Sequence, residues 1–193
     1  NLYGATKLAS DKLFVAANNI VGQRDTHFSV VRYGNVLGSR GSVIPLYRKL
    51  LSEGCQSLPV THKKMTRFVI TLQQGVDFVV DAFKRMHGGE IFVPKLPSVK
   101  VTTIAEALAP RLPLDLIGIR PGEKLHEVMC PADDSHLTLE FVNHFVIRPS
   151  IQIRINSDYS ENKLGERGLP VAEGFEYQSG TNSETLDSSD FTK

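Results

Sequence analysis

Apolar residues first recur at helical spacing near the start of the chain. Leu8, Leu13, Phe14, Ala16 and Ala17 fall in a stretch, residues 1–19, that holds no proline and no glycine after Gly4. The pattern predicts a helix that opens almost at the first residue. Residues 28–33 (FSVVRY) are β-branched and aromatic and stop at Gly34, which predicts a buried strand running into a loop. That loop, GNVLGSRGS, carries glycines at 34, 38 and 41 that let the backbone come close to a ligand, and Ser42 opens a predicted helix over 43–52. Thr71 is placed to cap a further helix over 72–86, whose Val76, Val79, Val80 and Phe83 form a stripe assigned to the core. Strands are predicted over 90–93, 99–101, 115–119 and 141–147, and a helix from Thr102 or Thr103 through Ala109. Short strands alternating with helices make this an α/β pattern. Beyond Ser157 the chain turns rich in Ser, Asn, Glu and Gly, the pattern of a loosely attached tail or of a segment wrapped on the surface.

Composition changes this picture little: 193 residues, 41% hydrophobic and 22% charged, suffice for a proper core. No stretch approaches the roughly 20 apolar residues that cross a bilayer, and the start shows no basic-then-apolar signal, so a cytoplasmic protein without membrane contact is expected. Cys55 and Cys130 have neither C-x-x-C spacing nor a neighbouring histidine pair, so both read as buried thiols and no metal site is expected. Charge is uneven. Residues 157–193 hold 8 acids and 3 bases, net −5, which leaves 13 acids and 19 bases, net +6, on residues 1–156. A mildly basic body suits an anionic small ligand such as a nucleotide diphosphate, as it suits an ordinary solvated surface; it lacks the clustered basic face of a nucleic-acid binder.

Tyr3 and Lys7 stand four residues apart in Y-G-A-T-K, so on a helix they project from one face about one turn apart. A phenol titrates near pH 10, and a nearby ammonium lowers that by stabilising the phenolate, which would make Tyr3 a usable base toward a sugar hydroxyl. The motif alone is weak, because Tyr and Lys at this interval arise often by chance.

The order of blocks is more specific. NLYGATKLASDKLF, VVRYGNVLGSRGSVIPLY, MTRFVIT, GIRPGEKLHE and GFEYQSGTN follow one another as they do in the inverting UDP-N-acetylglucosamine 4,6-dehydratases of the extended short-chain dehydrogenase/reductase superfamily, which the chain resembles over nearly its whole length. The resemblance implies the carboxy-terminal part of a Rossmann-like doubly wound fold with a small α/β substrate-binding domain. Residues 1–42 would end the dinucleotide-binding domain, 43–156 would be mainly substrate domain with returns to the core, and 157–193 a polar tail. It implies Tyr3 and Lys7 as catalytic residues that also contact NADP, and Asn35 at the junction of NADP and sugar nucleotide. Val36, Leu37, Gly38, Ser39, Arg40 and Gly41 would lie along a UDP-N-acetylhexosamine, with Val43, Ile44 and Pro45 following. Arg67 and Arg120 would meet diphosphate or uridine, and Glu123 would accept from a ribose hydroxyl, roles that suit guanidinium forks and carboxylates. The implied reaction gives a UDP-4-keto-6-deoxy sugar with inversion at C5, as in pseudaminic acid synthesis, and the full-length protein is expected to be a homo-oligomer. The glycine-rich dinucleotide turn and the aspartate–lysine pair that removes water in the family are absent from this sequence, so the chain alone is expected to be inactive.

Rival readings stand beside these. A UDP-sugar 4-epimerase or a retaining dehydratase shares the tyrosine, the lysine and the nucleotide contacts, and a non-catalytic sugar-nucleotide binding or assembly domain shares the latter. Arg67 and Arg120 also fit surface ion pairs. Glu123, with Lys124 and His126, fits a polar turn after Pro121-Gly122. His126 is read as a hydrogen-bonded loop residue outside catalysis, and His62-Lys63-Lys64 as a solvated basic run.

Overall fold

The computed structural model describes residues 2–22, 24–151 and 158–191, and for Tyr3 its backbone alone. In chain order the elements are α1 (Leu2–Ala17), β1 (Val30–Val31), β2 (Asn35–Val36), α2 (Val43–Ser52), β3 (Leu58–Val60), β4 (Thr66–Ile70), α3 (Leu72–Arg85), β5 (Ile91–Pro94), β6 (Ser98–Lys100), α4 (Val101–Leu108), β7 (Leu114–Leu116), β8 (Val128–Cys130), β9 (Thr138–Glu140), β10 (His144–Ile147), β11 (Leu169–Pro170) and β12 (Tyr177–Gln178). The fold is mixed α/β with several small sheets, and the chain forms two compact units, each assembled from three stretches. No helix among the described residues is long and apolar enough to cross a membrane.

The first unit takes residues 1–33, 74–95 and 129–177. Its sheet has the order β1-β5-β10-β9-β11, with β1 parallel to β5 and the remaining pairs antiparallel. The strand expected over 28–33 is regular only at Val30–Val31, at the edge of this sheet. Phe92, Leu139, Phe141 and Val146 form the core with Ala82 of α3.

Here the expected core stripe needs correction. Phe83 is 76% exposed, and Val76, Val79 and Val80 are 49%, 44% and 48% exposed. The helix carries two apolar lines, and the one that faces the sheet runs through Phe78 and Ala82. The small Ala82 sits where the helix meets the sheet, and the bulkier line is left outside. Helix α1 is similarly bare: Leu2, Leu8, Leu13 and Phe14 are exposed. It is fastened near its end, where the Asn18 amide donates to the Phe28 carbonyl (2.9 Å) and accepts from the Phe28 N–H (2.9 Å), and where Asp11 pairs with Arg32 at 2.8 Å.

Residues 158–177 are wrapped onto this unit. Glu166 accepts two hydrogen bonds from Arg85 (2.6 and 3.0 Å) and one from the Asn162 amide (2.6 Å), while Tyr159 donates to the Gly88 carbonyl (2.9 Å). His144 is 3% exposed, stacks on Phe141 with ring centroids 4.6 Å apart, and is held neutral by burial, which pushes its pKa down to about 4. Burial also pushes the Cys130 thiol up to about 12, whereas Cys55 is only half-buried, so one of the two expected buried thiols is partly accessible.

The second unit takes residues 34–73, 96–128 and 178–193. Strand β4 lies between β2, to which it is parallel, and β6, to which it is antiparallel, while β3 and β7 form a separate parallel pair. Its core joins Tyr47 of α2, Leu58 and Val60 of β3, Met65, Val69 and Val99 to Ile104 and Ala105 of α4. The helix expected from Thr102 or Thr103 opens at Val101, whose N–H donates to the Met65 carbonyl at 3.0 Å. Residues 178–191 are stitched to this unit by Ser98 N–H to Glu184 (2.9 Å), Leu186 N–H to Ser98 (2.8 Å) and the Asn182 amide to Leu96 (2.9 Å).

Candidate functional site

The glycine-bearing loop has a different structural reason at each glycine. Gly34 lies against β4 so closely that a Cβ would sit 2.6 Å from the Phe68 carbonyl oxygen, so only glycine lets β2 pair there. Gly38 and Gly41 both take φ +74, the left-handed region, and turn the chain from β2 into α2. Ser42 occupies the N-cap with extended backbone, φ −78 and ψ 168, but its hydroxyl makes no cap bond. Its Oγ is buried and has no hydrogen-bond partner among the described residues. Pro45 lacks an N–H where the first turn has no use for one, which favours the helix start.

Loop, helix and strand enclose a pocket of about 240 Å³ within the second unit. Of the residues expected along the substrate, Asn35, Val36, Leu37, Gly38 and Gly41 line it from β2 and the loop, and Arg67, Arg120 and Glu123 line it from β4 and the later turn. Ser39 and Arg40 are exposed and do not line it; Ser39 instead accepts from the Ser42 N–H at 3.0 Å. The apolar wall comes from Val43, Ile44 and Tyr47 of α2 with Val69 and Ile104. Tyr47 is part of that wall and no base, since burial pushes its pKa up to about 12 and its hydroxyl donates to the Pro59 carbonyl at 2.8 Å.

The two arginines are held differently. Arg67 is 18% exposed, and its Nη atoms donate to the main-chain carbonyls of Thr66 (2.7 Å), Lys124 (3.0 Å) and Leu125 (3.2 Å). Its cation lies 3.7 Å from Glu123 and 3.8 Å from Glu127, so it clasps the 123–127 turn to β4. Arg120 is exposed at the pocket, in a turn closed by Glu123 N–H to the Arg120 carbonyl (3.0 Å) and Arg120 N–H to the Glu123 carboxylate (3.3 Å). A guanidinium beside a carboxylate in a largely apolar pocket can take a ligand with both an anionic group and hydroxyls. The volume lies below the roughly 300–1,000 Å³ typical of whole small-molecule sites, so it suits one moiety of a larger ligand.

His126, read as a structural residue, bonds through Nδ1 to Thr66 Oγ1 at 2.7 Å and packs on Gly180. Two contributors were missed in sequence. The sequence marks Ser42 only as a helix start and gives no role to Glu127, the last residue of RPGEKLHE, whose carboxylate accepts from the Asn35 amide at 2.9 Å.

Lys7 is exposed on α1 in the first unit, and the side chain of its partner Tyr3 lies outside the described residues. Residues 34–41 do not form a dinucleotide turn, because they lack its glycine spacing, and the described residues do not by themselves make up a dinucleotide site.

Comparison with known proteins bears on the same residues. Residues 1–149 match the family model described as polysaccharide biosynthesis protein. The chain is 61% identical over 183 residues to the inverting UDP-N-acetylglucosamine 4,6-dehydratase of Campylobacter jejuni, covering 94% of this chain and 55% of that one. It is 38% identical over 138 residues to the UDP-glucose 4-epimerase of Rickettsia akari, covering 69% of this chain and 40% of that one. The X-ray structure of Pen from Bacillus thuringiensis matches 100% of this chain and 56% of that one, with a TM-score of 0.81 and 32% identity. The chain spans about half the length of the curated relatives it matches.

Proposed function

The chain belongs to the polysaccharide biosynthesis protein family, and on that premise we propose that it is the substrate-binding part of an inverting UDP-N-acetylglucosamine 4,6-dehydratase. The observation that carries the reading is the convergence of eight residues, Asn35 to Gly38, Gly41, Arg67, Arg120 and Glu123, from three separate stretches on one pocket. In this reading the exposed Arg120 meets the diphosphate or uridine. Glu123 accepts from a ribose hydroxyl. Arg67 adds positive potential and shapes the wall, since most of its donors are already engaged.

The first unit supports the finer fold reading. Strand β1 is parallel to β5 and ends the sheet order, so its outer edge has no strand paired to it among the described residues. A free parallel edge beside the apolar faces of α1 and α3 is what a doubly wound sheet would extend and cover. The nicotinamide cofactor, NADP in the finer reading, and the elimination residues are therefore assigned to the whole protein, as are Tyr3 and Lys7 in catalysis, homo-oligomerisation and a cytoplasmic location.

Incubating the full-length protein with UDP-N-acetylglucosamine in deuterated water and following the sugar by NMR tests the proposal. A 4-keto-6-deoxy product with inverted C5 is expected. An epimerised sugar that keeps its C6 hydroxyl, or a product with C5 retained, would overturn it. The chain alone is expected to release no such product.

A further inference from the structure

Glu127 stands where several groups of the second unit converge. One oxygen, Oε1, accepts from Asn35 Nδ2 at 2.9 Å and lies 3.8 Å from Arg67 Nε; the other, Oε2, accepts from the Phe68 N–H at 3.0 Å. Its own backbone is pinned on both sides by Ser179, which takes the Glu127 N–H on Oγ at 2.9 Å and donates its N–H to the Glu127 carbonyl at 2.9 Å. Asn35 Nδ2 also reaches the Phe68 carbonyl at 3.3 Å.

These partners decide which way the Asn35 amide points. With Nδ2 inward, its hydrogens meet a carboxylate and a carbonyl. With the amide flipped, Oδ1 would face those same two acceptors and no donor, which is repulsive in a partly desolvated site. Glu127 thus leaves Oδ1 as the atom of Asn35 not committed to the wall, on a side chain that lines the pocket. A carboxylate is required because two donors, the Asn35 amide and the Phe68 N–H, arrive on its two oxygens; a glutamine offers an acceptor to only one of them.

We propose that Glu127 is a positioning residue that locks Asn35 so that it presents a hydrogen-bond acceptor to the pocket, and that the ligand group recognised there is a donor, a hydroxyl or an amide N–H. The ligand half of this rests on the sugar-nucleotide reading above; the locking of Asn35 does not.

The experiment has two readouts on the 193-residue chain. Solvent exchange of the Asn35 side-chain NH₂, followed by ¹⁵N NMR, is expected to be about tenfold faster in E127Q than in the unmodified chain, as a charge-assisted bond is lost. E127D, which keeps both acceptors on a shorter arm, is expected to fall between them and serves if E127Q fails to fold. Calorimetric titration with UDP-N-acetylglucosamine is expected to weaken about tenfold in E127Q and in N35A, with the double variant no weaker than N35A alone. Equal exchange in the unmodified chain and both Glu127 variants would overturn the positioning role, and so would additive losses in the double variant. An unmodified chain that does not bind the sugar nucleotide would sink the functional reading, and the exchange rates would still decide the role of Glu127.

Discussion

The different settings of the two arginines make a quantitative contrast testable. Replacing Arg67 by alanine strips the Lys124 and Leu125 carbonyls of their side-chain donor and leaves Glu123 and Glu127 without the cation between them. The Leu125 carbonyl keeps the Thr66 N–H (3.1 Å) and the Lys124 carbonyl is open to water, so what is lost is the charge-assisted bonding itself, about 1.5–3 kcal/mol per bond in general and near the low end here. A loss of about 2–3 kcal/mol follows, or roughly 5–10 °C in Tm for a chain of this size. Arg120 is exposed, so R120A is expected to change stability by no more than about 0.5 kcal/mol. For the sugar nucleotide the expectation reverses in character: R120A deletes a charge-assisted contact of about 1.5–3 kcal/mol and weakens binding roughly 10- to 100-fold without unfolding the pocket. The chain has no tryptophan, so thermal and urea melts are followed by circular dichroism, and binding by calorimetry. An R67A chain as stable as the unmodified one, or an R120A chain that melts early, would refute this division of labour.

Further outcomes follow from the same structure. Burial lowers the His144 pKa from 6.5 to about 4, so the unfolded chain takes up its proton first on acidification. The contribution is complete above pH 6.5 and disappears as pH falls through 4, about 3 kcal/mol in all and about 2 of it between pH 7 and 5. Urea melts of H144F should show a loss between pH 7 and 5 smaller by that amount, and an unchanged loss would contradict the assignment. G34A puts a methyl 2.6 Å from the Phe68 carbonyl and is expected to cost about 2–3 kcal/mol by melt; a neutral effect would mean β2 can move away. F83E on the exposed line of α3 should leave Tm within a few degrees and reduce self-association in sedimentation, whereas a loss above about 3 kcal/mol would mean that this face is core.

Legibility in the sequence varied with how local the cause was. Helix α2 is readable to its ends because its Ser42 start and the segment from Val43 lie together in sequence. The three glycines were legible as a close-approach loop, though Gly34 serves the packing of β2 on β4 and only Gly38 and Gly41 serve the turn. Strand β3 escaped notice because three residues with a central proline carry no period, and its pairing partner β7 lies more than fifty residues away. For α3, periodicity reveals an apolar stripe but cannot say which of two lines meets the sheet, since that depends on the packing of Phe78 and Ala82 on Phe92, Leu139 and Val146, which are distant in sequence. Glu127 was invisible for a similar reason. Its partners Asn35 and Phe68 lie 92 and 59 residues distant, and nothing in LHE announces them.

Most directly at stake is whether the pocket of β2, α2 and the Arg120 turn takes a uridine diphosphate sugar. Titrating the ¹⁵N-labelled chain with UDP-N-acetylglucosamine should shift the backbone signals of Asn35 to Gly41 and Arg120 to Glu123 together, with one saturating affinity. Saturation without movement of those signals, or no response at millimolar ligand, would contradict the account.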